Sequence, residues 1–234
     1  MLPKLILLQF SAHLLADFVF QDQQMSDGKS KKIFTRYHIV HFFIVGGLSL
    51  VFAMNFGFWL AALSIASLHL LTDILKSWLT IRAKGKGFFF ADQFIHLVII
   101  LIITWLYTEW AIWIPWFEVP VKTVALIAGF ILCTRPSNIL IRHLFVAFDI
   151  QTPGESTAHA EDISLPNAGK LIGIVERLLA LSLILLGQYE AVGLVLAAKS
   201  ILRFSGPQKS EYVLVGTLLS FGIAAFCGFL INLL

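Results

Sequence analysis

Charge is what this chain is short of. Only 13% of its 234 residues are Asp, Glu, Lys or Arg, against about 25% in a soluble domain, which argues against a water-soluble globular fold. Cysteine is nearly absent. Cys133 and Cys227 both lie inside apolar stretches, which speaks against a disulfide framework. The signatures G-x-x-x-x-G-K-[ST], G-x-S-x-G, H-E-x-x-H and C-x-x-C are all missing. Their absence removes the phosphate-cradling loop, the nucleophile elbow, the zinc-protease helix and the paired-thiol motif from consideration. The net charge of +3 is small and collects in a few loops, so it points to membrane orientation rather than nucleic acid. Early cations are limited to Lys4, and the first apolar run contains His13 and Asp17. That run is therefore expected to be a retained span rather than a cleaved signal peptide.

What is there instead is apolar length. Hydrophobic residues make up 58% of the chain, in runs of about twenty that recur from end to end. The expected fold class is all-α, a polytopic membrane helix bundle of about eight transmembrane helices. The spans are placed at Pro3–Phe20, His38–Met54, Phe58–Leu79, Phe88–Tyr107, Val121–Ile141, Lys170–Gly187, Ala191–Phe204 and Tyr212–Leu234. Two halves, 1–110 and 111–234, are expected to form one integrated bundle, with no clean internal repeat between them. Alternate loops carry the cations: Lys29, Lys31, Lys32 and Arg36, then Arg82, Lys84 and Lys86, then Arg142 to Lys170, then Arg203 and Lys209. The other loops hold Glu109, Glu118 and Glu190. By the positive-inside rule the basic loops are cytoplasmic and both termini periplasmic. Trp110, Trp113 and Trp116 would then form an aromatic belt at the outer interface.

Polar residues inside such runs are costly and therefore informative. His13/Asp17 and His69/Asp73 are spaced i,i+4, and Asp92/His96 repeat the spacing in reverse order. Each pair stands on one helix face. His38 and His41 stand on a fourth segment. At 1.5 Å per residue, Asp17, His41 and Asp92 lie about 6 Å inside the basic-loop ends of their spans, and His13, Asp73 and His96 roughly 10–13 Å in. The order inverts as the chain direction inverts, as one layer of ligands at one depth requires. His13, Asp17, His41, His69, Asp73, Asp92 and His96 are thus candidate metal ligands, with His38 the weakest member. Imidazole and carboxylate together suit one or two divalent ions, Zn, Fe or Mn. A purely structural His–Asp network is the alternative.

The second half carries a different set. Glu176 and Arg177, Lys199 and Arg203, and Arg135 ahead of Pro136 lie in or near its spans. Pro136 is expected to break the fifth span and free backbone groups there. Arg135, Arg177, Lys199 and Arg203 are candidate binders of an anionic group. Snorkelling of Arg203, and pairing of Glu176 with Lys199 or Arg177, are the structural alternatives. The loop Asp149–Asn167 is polar, and His159 within it reads as solvated.

Several stretches resemble a known family. They are His13-Leu-Leu-Ala-Asp17-Phe18-Val-Phe-Gln21, His69-Leu-Leu-Thr-Asp73-Ile-Leu-Lys76 and Asp92-Gln93-Phe-Ile-His96. To these add Gly173-Ile-Val-Glu176-Arg177, Ala197-Ala-Lys199-Ser200-Ile-Leu-Arg203-Phe204 and Glu211-Tyr212-Val-Leu-Val-Gly216-Thr217. Together they are similar to the bacterial integral-membrane family called domain of unknown function 3307. That resemblance implies a bacterial inner-membrane protein and no established activity. A looser similarity is to membrane-bound metal-dependent hydrolases, which also use helical His and Asp, although their H-R-x-x-T-H-S run is absent here.

Two functions follow as expectations. One is a metal-dependent hydrolase of a lipid or lipid-linked phosphate, with Asp17, Asp73 and Asp92 as its catalytic carboxylates. The other is a metal-ion or proton-coupled transporter. A non-catalytic membrane scaffold is a third. Membrane lipids are the expected surroundings and an anionic lipid the expected substrate, with the basic and His/Asp sets forming one site.

Overall fold

The computed structural model describes residues 1–83, 85–150, 168–201 and 210–234. Lys84, His159, Arg203 and Lys209, with the polar loop from 151 to 167, lie outside the described residues. The helices are α1 (Leu2–Leu15), α2 (Gln23–Ser30), α3 (Arg36–Ala53), α4 (Trp59–Arg82), α5 (Phe88–Trp110), α6 (Val121–Leu132), α7 (Arg135–Ala147), α8 (Ala168–Leu185), α9 (Tyr189–Ile201) and α10 (Ser210–Asn232). They fall into two compact units, Met1–Ile131 and Leu132–Leu234.

In the first unit α1, α3, α4 and α5 pack as a ring, α1 and α4 each touching both α3 and α5. α3, α4 and α5 each bury one narrow stripe, whereas α1 is buried more broadly. On α4 the stripe runs Ala62, Ile65, Ala66, His69, Asp73, Ser77. On α5 it is Asp92, His96, Ile100, Thr104 at strict i,i+4 spacing, and on α3 it is His38, His41, Val45, Ser49, Ala53. One helical period thus carries both an apolar and a polar segment of the interior. Leu5, Leu8, Phe58, Ala61, Ala62, Ile65, Ile100 and Trp113 fill one end. The small residues Ala62 and Ala66 let α3 and α4 approach closely. The other end holds the His/Asp residues and is overlain by α2, which packs on α3 and α4.

In the second unit α8 packs along α10, with α9 against α8 and α7 against both α8 and α10. Gly228 is needed there: a Cβ at that position would stand 2.5 Å from Ile184 Cγ2. The stop between α6 and α7 matches the break expected at Pro136, which occupies the first turn of α7 and lacks the N–H that would continue α6.

Five helical segments are long and apolar enough to cross a membrane, or six if α6 and α7 are one broken span. The chain is a multi-pass membrane-spanning helical protein. The sixth and seventh expected spans correspond to α8, with three charged residues in its 18, and to α9, which is 13 residues long.

Candidate metal centre

The His/Asp end of the first unit begins with a departure from regular helix. After Leu15 the chain makes a π-helical turn over Ala16–Phe20, closed by the bond from Gln21 N–H to Ala16 C=O at 3.0 Å. The wider turn adds a residue to the helix circumference and turns the following side chains relative to an α-helix. Asp17, the first acidic residue of that turn, points inward, its side chain 8% exposed.

Three ligand-type atoms meet there. His41 Nε2 and His69 Nε2 are 3.0 Å apart, and Asp17 Oδ1 is 3.2 Å from the first and 3.3 Å from the second. Ligand atoms of a tetrahedral ion held at about 2.0–2.1 Å stand about 3.3–3.4 Å from one another. The triangle's edges, which are also hydrogen-bond distances, are slightly shorter than those of one face of a metal tetrahedron. Asp73 Oδ2 lies 3.9 Å from both Nε2 atoms, and Asp73 groups with Asp92 and His96 rather than with the triangle.

The neighbouring rings are oriented by hydrogen bonds that fix their tautomers. Gln93 donates from Nε2 to Asp17 Oδ2 at 3.1 Å, which leaves its Oε1 facing His13 Nε2 at 3.2 Å. An amide oxygen only accepts, so His13 carries its proton on Nε2 and keeps a lone pair on Nδ1. Thr72 donates its hydroxyl to His69 C=O at 2.8 Å, so it accepts from His96 Nε2, and His96 also keeps Nδ1 bare. Each bare nitrogen stands 3.7 Å from an Asp17 oxygen, His13 from Oδ1 and His96 from Oδ2. Lone pairs facing a carboxylate in a buried space repel unless a cation lies between them. His13 Nδ1, His41 Nδ1, His96 Nδ1, Asp17 Oδ1 and Asp92 Oδ1 are all buried without a hydrogen-bond partner. Grouped by distance, the residues form three overlapping sets: Asp17/His41/His69, His13/His69/His96 and Asp73/Asp92/His96. The His69 and His96 rings stack at 3.7 Å between centroids, joining the sets. The donors fit a divalent ion such as Zn, Fe or Mn.

His38 stands apart. Its Nδ1 accepts from Thr35 N–H at 3.1 Å in a helix-capping arrangement, and its Nε2 meets Ser77 Oγ at 3.2 Å. Both nitrogens are occupied, and His38 joins none of the ligand sets.

Two lysines complete the cluster. Lys29, which reads in the sequence as a loop charge, is buried at 2.6 Å from Asp73 Oδ2. Lys76 lies 2.7 Å from Asp92 Oδ2. Gln93, Thr72 and Ser77 are further partners that residue type alone does not reveal. A signal for Lys29 exists: it follows Met25 by four residues, and those two form the buried face of α2.

The second-half cations are placed as follows. Arg177 is fully buried and donates to Cys133 C=O at 2.8 Å, Ser220 Oγ at 3.0 Å, Thr134 C=O at 3.2 Å and Asn138 Oδ1 at 2.6 Å. Cys133 and Thr134 are the residues between α6 and α7, so Arg177 satisfies carbonyls that the break frees. Lys199 pairs with Glu176. Arg135 is exposed at the start of α7.

No curated protein and no solved structure matches the chain. One family does, over residues 5–121, the stretch that carries every His and Asp of the cluster together with Lys29, Lys76 and Gln93. Half of the sequence is thereby matched, and the chain belongs to the family described as "Protein of unknown function (DUF3307)".

Proposed function

We propose that the first unit is a membrane-embedded divalent-metal centre that hydrolyses a phosphate ester, with a lipid or lipid-linked phosphate as substrate class. The observation that carries this reading is the Asp17–His41–His69 triangle, with edges of 3.0 to 3.3 Å. Asp17, His41 and His69 are the core ligands, and His13 and His96 offer their bare Nδ1 atoms to the same space. A bound divalent ion supplies Lewis acidity and lowers the pKa of a water it holds. Asp73 and Asp92 would accept the proton that water gives up and return it to the departing alkoxide. Water delivers hydroxyl to phosphorus and a proton to the departing alkoxide; the P–O ester bond breaks, yielding an alcohol with phosphate from a monoester or a phosphomonoester from a diester. The apolar packing of Leu5, Leu8, Phe58, Ile65 and Trp113 fills the opposite end of the unit with side chains that hold no ion. That favours chemistry over passage across the membrane. The loop charges support eight spans in a bacterial inner membrane, both termini periplasmic and the centre near the cytoplasmic face.

Metal analysis of the full chain purified in detergent tests the reading. About one Zn, Fe or Mn ion per chain is expected after reconstitution, falling below about a tenth in Asp17→Asn and His69→Ala. Wild-type protein that retains none of the three ions overturns it.

A further inference from the structure

We infer that Lys29 and Lys76 form the anion-binding wall of this centre, holding the negatively charged oxygens of a phosphate group beside a single divalent ion. The two lysines take that role only if the carboxylates hold an ion, so the assignment rests on the metal-centre reading above.

The carboxylates are shared between rings and ammonium groups. Asp73 Oδ2 is 2.6 Å from Lys29 Nζ and also 3.9 Å from the Nε2 atoms of His41 and His69. Asp92 divides its two oxygens between the same kinds of partner. Its Oδ2 takes Lys76 Nζ at 2.7 Å, while Oδ1 stands 3.8 Å from His96 Nε2. Each ammonium group is thus one carboxylate away from the imidazoles. A carboxylate drawn toward an ion must release part of its hold on its lysine. The released N–H donors then face the ion, where an anion bound to it would sit.

Charge gives a second, independent argument. Counting the carboxylates and ammonium groups alone, Asp17, Asp73 and Asp92 against Lys29 and Lys76 leave one negative charge. One divalent ion turns this to one positive charge, and a phosphodiester or other monoanion brings it to zero. A second divalent ion beside that anion would leave two uncompensated positive charges, which a low-dielectric interior disfavours. Full compensation therefore calls for one ion and one anion.

The two lysines also differ in access, as two sides of a binding wall should. The Lys29 side chain is 8% exposed and comes from α2, which overlies the site and is capped by Asp22 accepting from Met25 N–H at 2.7 Å. The Lys76 side chain is 34% exposed and lies over the Phe89 ring at 5.9 Å. Lys76 marks the open edge and Lys29 the closed back. Both belong to the stretch shared with the family, so the first unit brings its own cations to the ion.

The test uses the full chain, metal-loaded, in phosphatidylcholine nanodiscs, with inorganic phosphate titrated calorimetrically and metal content measured on the same samples. Lys29→Met and Lys76→Met are expected to keep one ion per chain while weakening phosphate binding at least about tenfold each, with Lys29→Arg close to wild type. Metal-loaded wild type that does not bind phosphate, or variants that keep the ion and bind phosphate unchanged, overturn the assignment. If Lys29→Met costs the fold or the ion, and adding Asp73→Asn restores both along with phosphate binding, Lys29 is a structural counter-charge and the assignment falls. Wild type that takes up no ion defeats the metal reading instead, a result separable by the metal measurement alone. Repeating the titration with phosphatidylglycerol in the discs distinguishes the source. Competition identifies a lipid headgroup, and its absence identifies a water-soluble phosphate ester.

Discussion

The two units treat their buried ionisable side chains in opposite ways. In the first, the Nδ1 atoms of His13, His41 and His96 and one oxygen each of Asp17 and Asp92 are enclosed without partners. In the second, the largest buried polar side chain, Arg177, spends four bonds on groups of its own unit. Two of those partners are carbonyls left over where α6 gives way to α7, and helix C-terminal carbonyls attract a cation. Arg177 thus repairs a cost created by the chain itself, and its chemistry closes there. The His/Asp cluster does not close: the Nδ1 atoms of His13 and His96 face Asp17, and a divalent ion in that space would satisfy them. A satisfied buried charge is read as architecture, and an unsatisfied convergent set as a binding site.

The sharpest way to break that comparison is Arg177→Met. If Arg177 is architecture, the change leaves carbonyls of Cys133 and Thr134 and the Asn138 side chain without their donor. Stability of the second unit should fall by about 3–5 kcal/mol, read as reversible unfolding in mixed detergent. Metal content should stay at the wild-type value. A stable Arg177→Met protein that has lost its ion or its phosphate binding would reverse the assignment of roles.

Gln93→Leu sharpens the other side. Gln93 touches both His13 and Asp17 and sets which nitrogen of His13 is bare. A partner that orients a ligand without binding the ion is worth about 10–100-fold in metal affinity. Competition with a chromophoric chelator should report that loss, with the fold intact by circular dichroism and Gln93→Glu recovering part of it. An unchanged affinity would mean that His13 is outside the ligand set.

These contrasts also explain what was legible in the residues alone. Asp17, Asp73 and Asp92 stand out because a carboxylate in an apolar run is expensive, and the inverted order at Asp92/His96 encodes depth directly. Pro136 announces a break because it lacks an N–H, though the helix ends four residues earlier, at Leu132. Lys29 is hard to read for the opposite reason, its spacing from Met25 being the one signal. Its helix, Gln-Gln-Met-Ser-Asp-Gly-Lys-Ser, has a single apolar residue and the composition of a loop. Its partner Asp73 is 44 positions away. The π-helical turn that carries Asp17 has no compositional mark at all, since it answers to packing. The acceptors that Arg177 meets are likewise a consequence of where α6 ends, not of any pattern around residue 177.

The smallest effect is expected at Lys199 and Glu176, which lie between the two extremes. They form a direct ion pair, but their side chains keep 23% and 16% exposure, so water competes for both. A pair of this kind contributes about 1 kcal/mol or less. In a double-mutant cycle with Lys199→Met and Glu176→Gln, the coupling energy should be about that size. Either single change should leave one ion per chain and phosphate binding intact. The value separates three cases. Coupling near 1 kcal/mol, with both binding measurements unmoved, places the pair with Arg177 as a weaker piece of architecture. Coupling of about 3 kcal/mol or more would mean that the pair is desolvated, so that exposure in isolation misjudges its surroundings. Loss of phosphate binding in Lys199→Met with little coupling would bring the second unit back into the functional site. The division between satisfied and unsatisfied polar groups would then fail at its least buried member first.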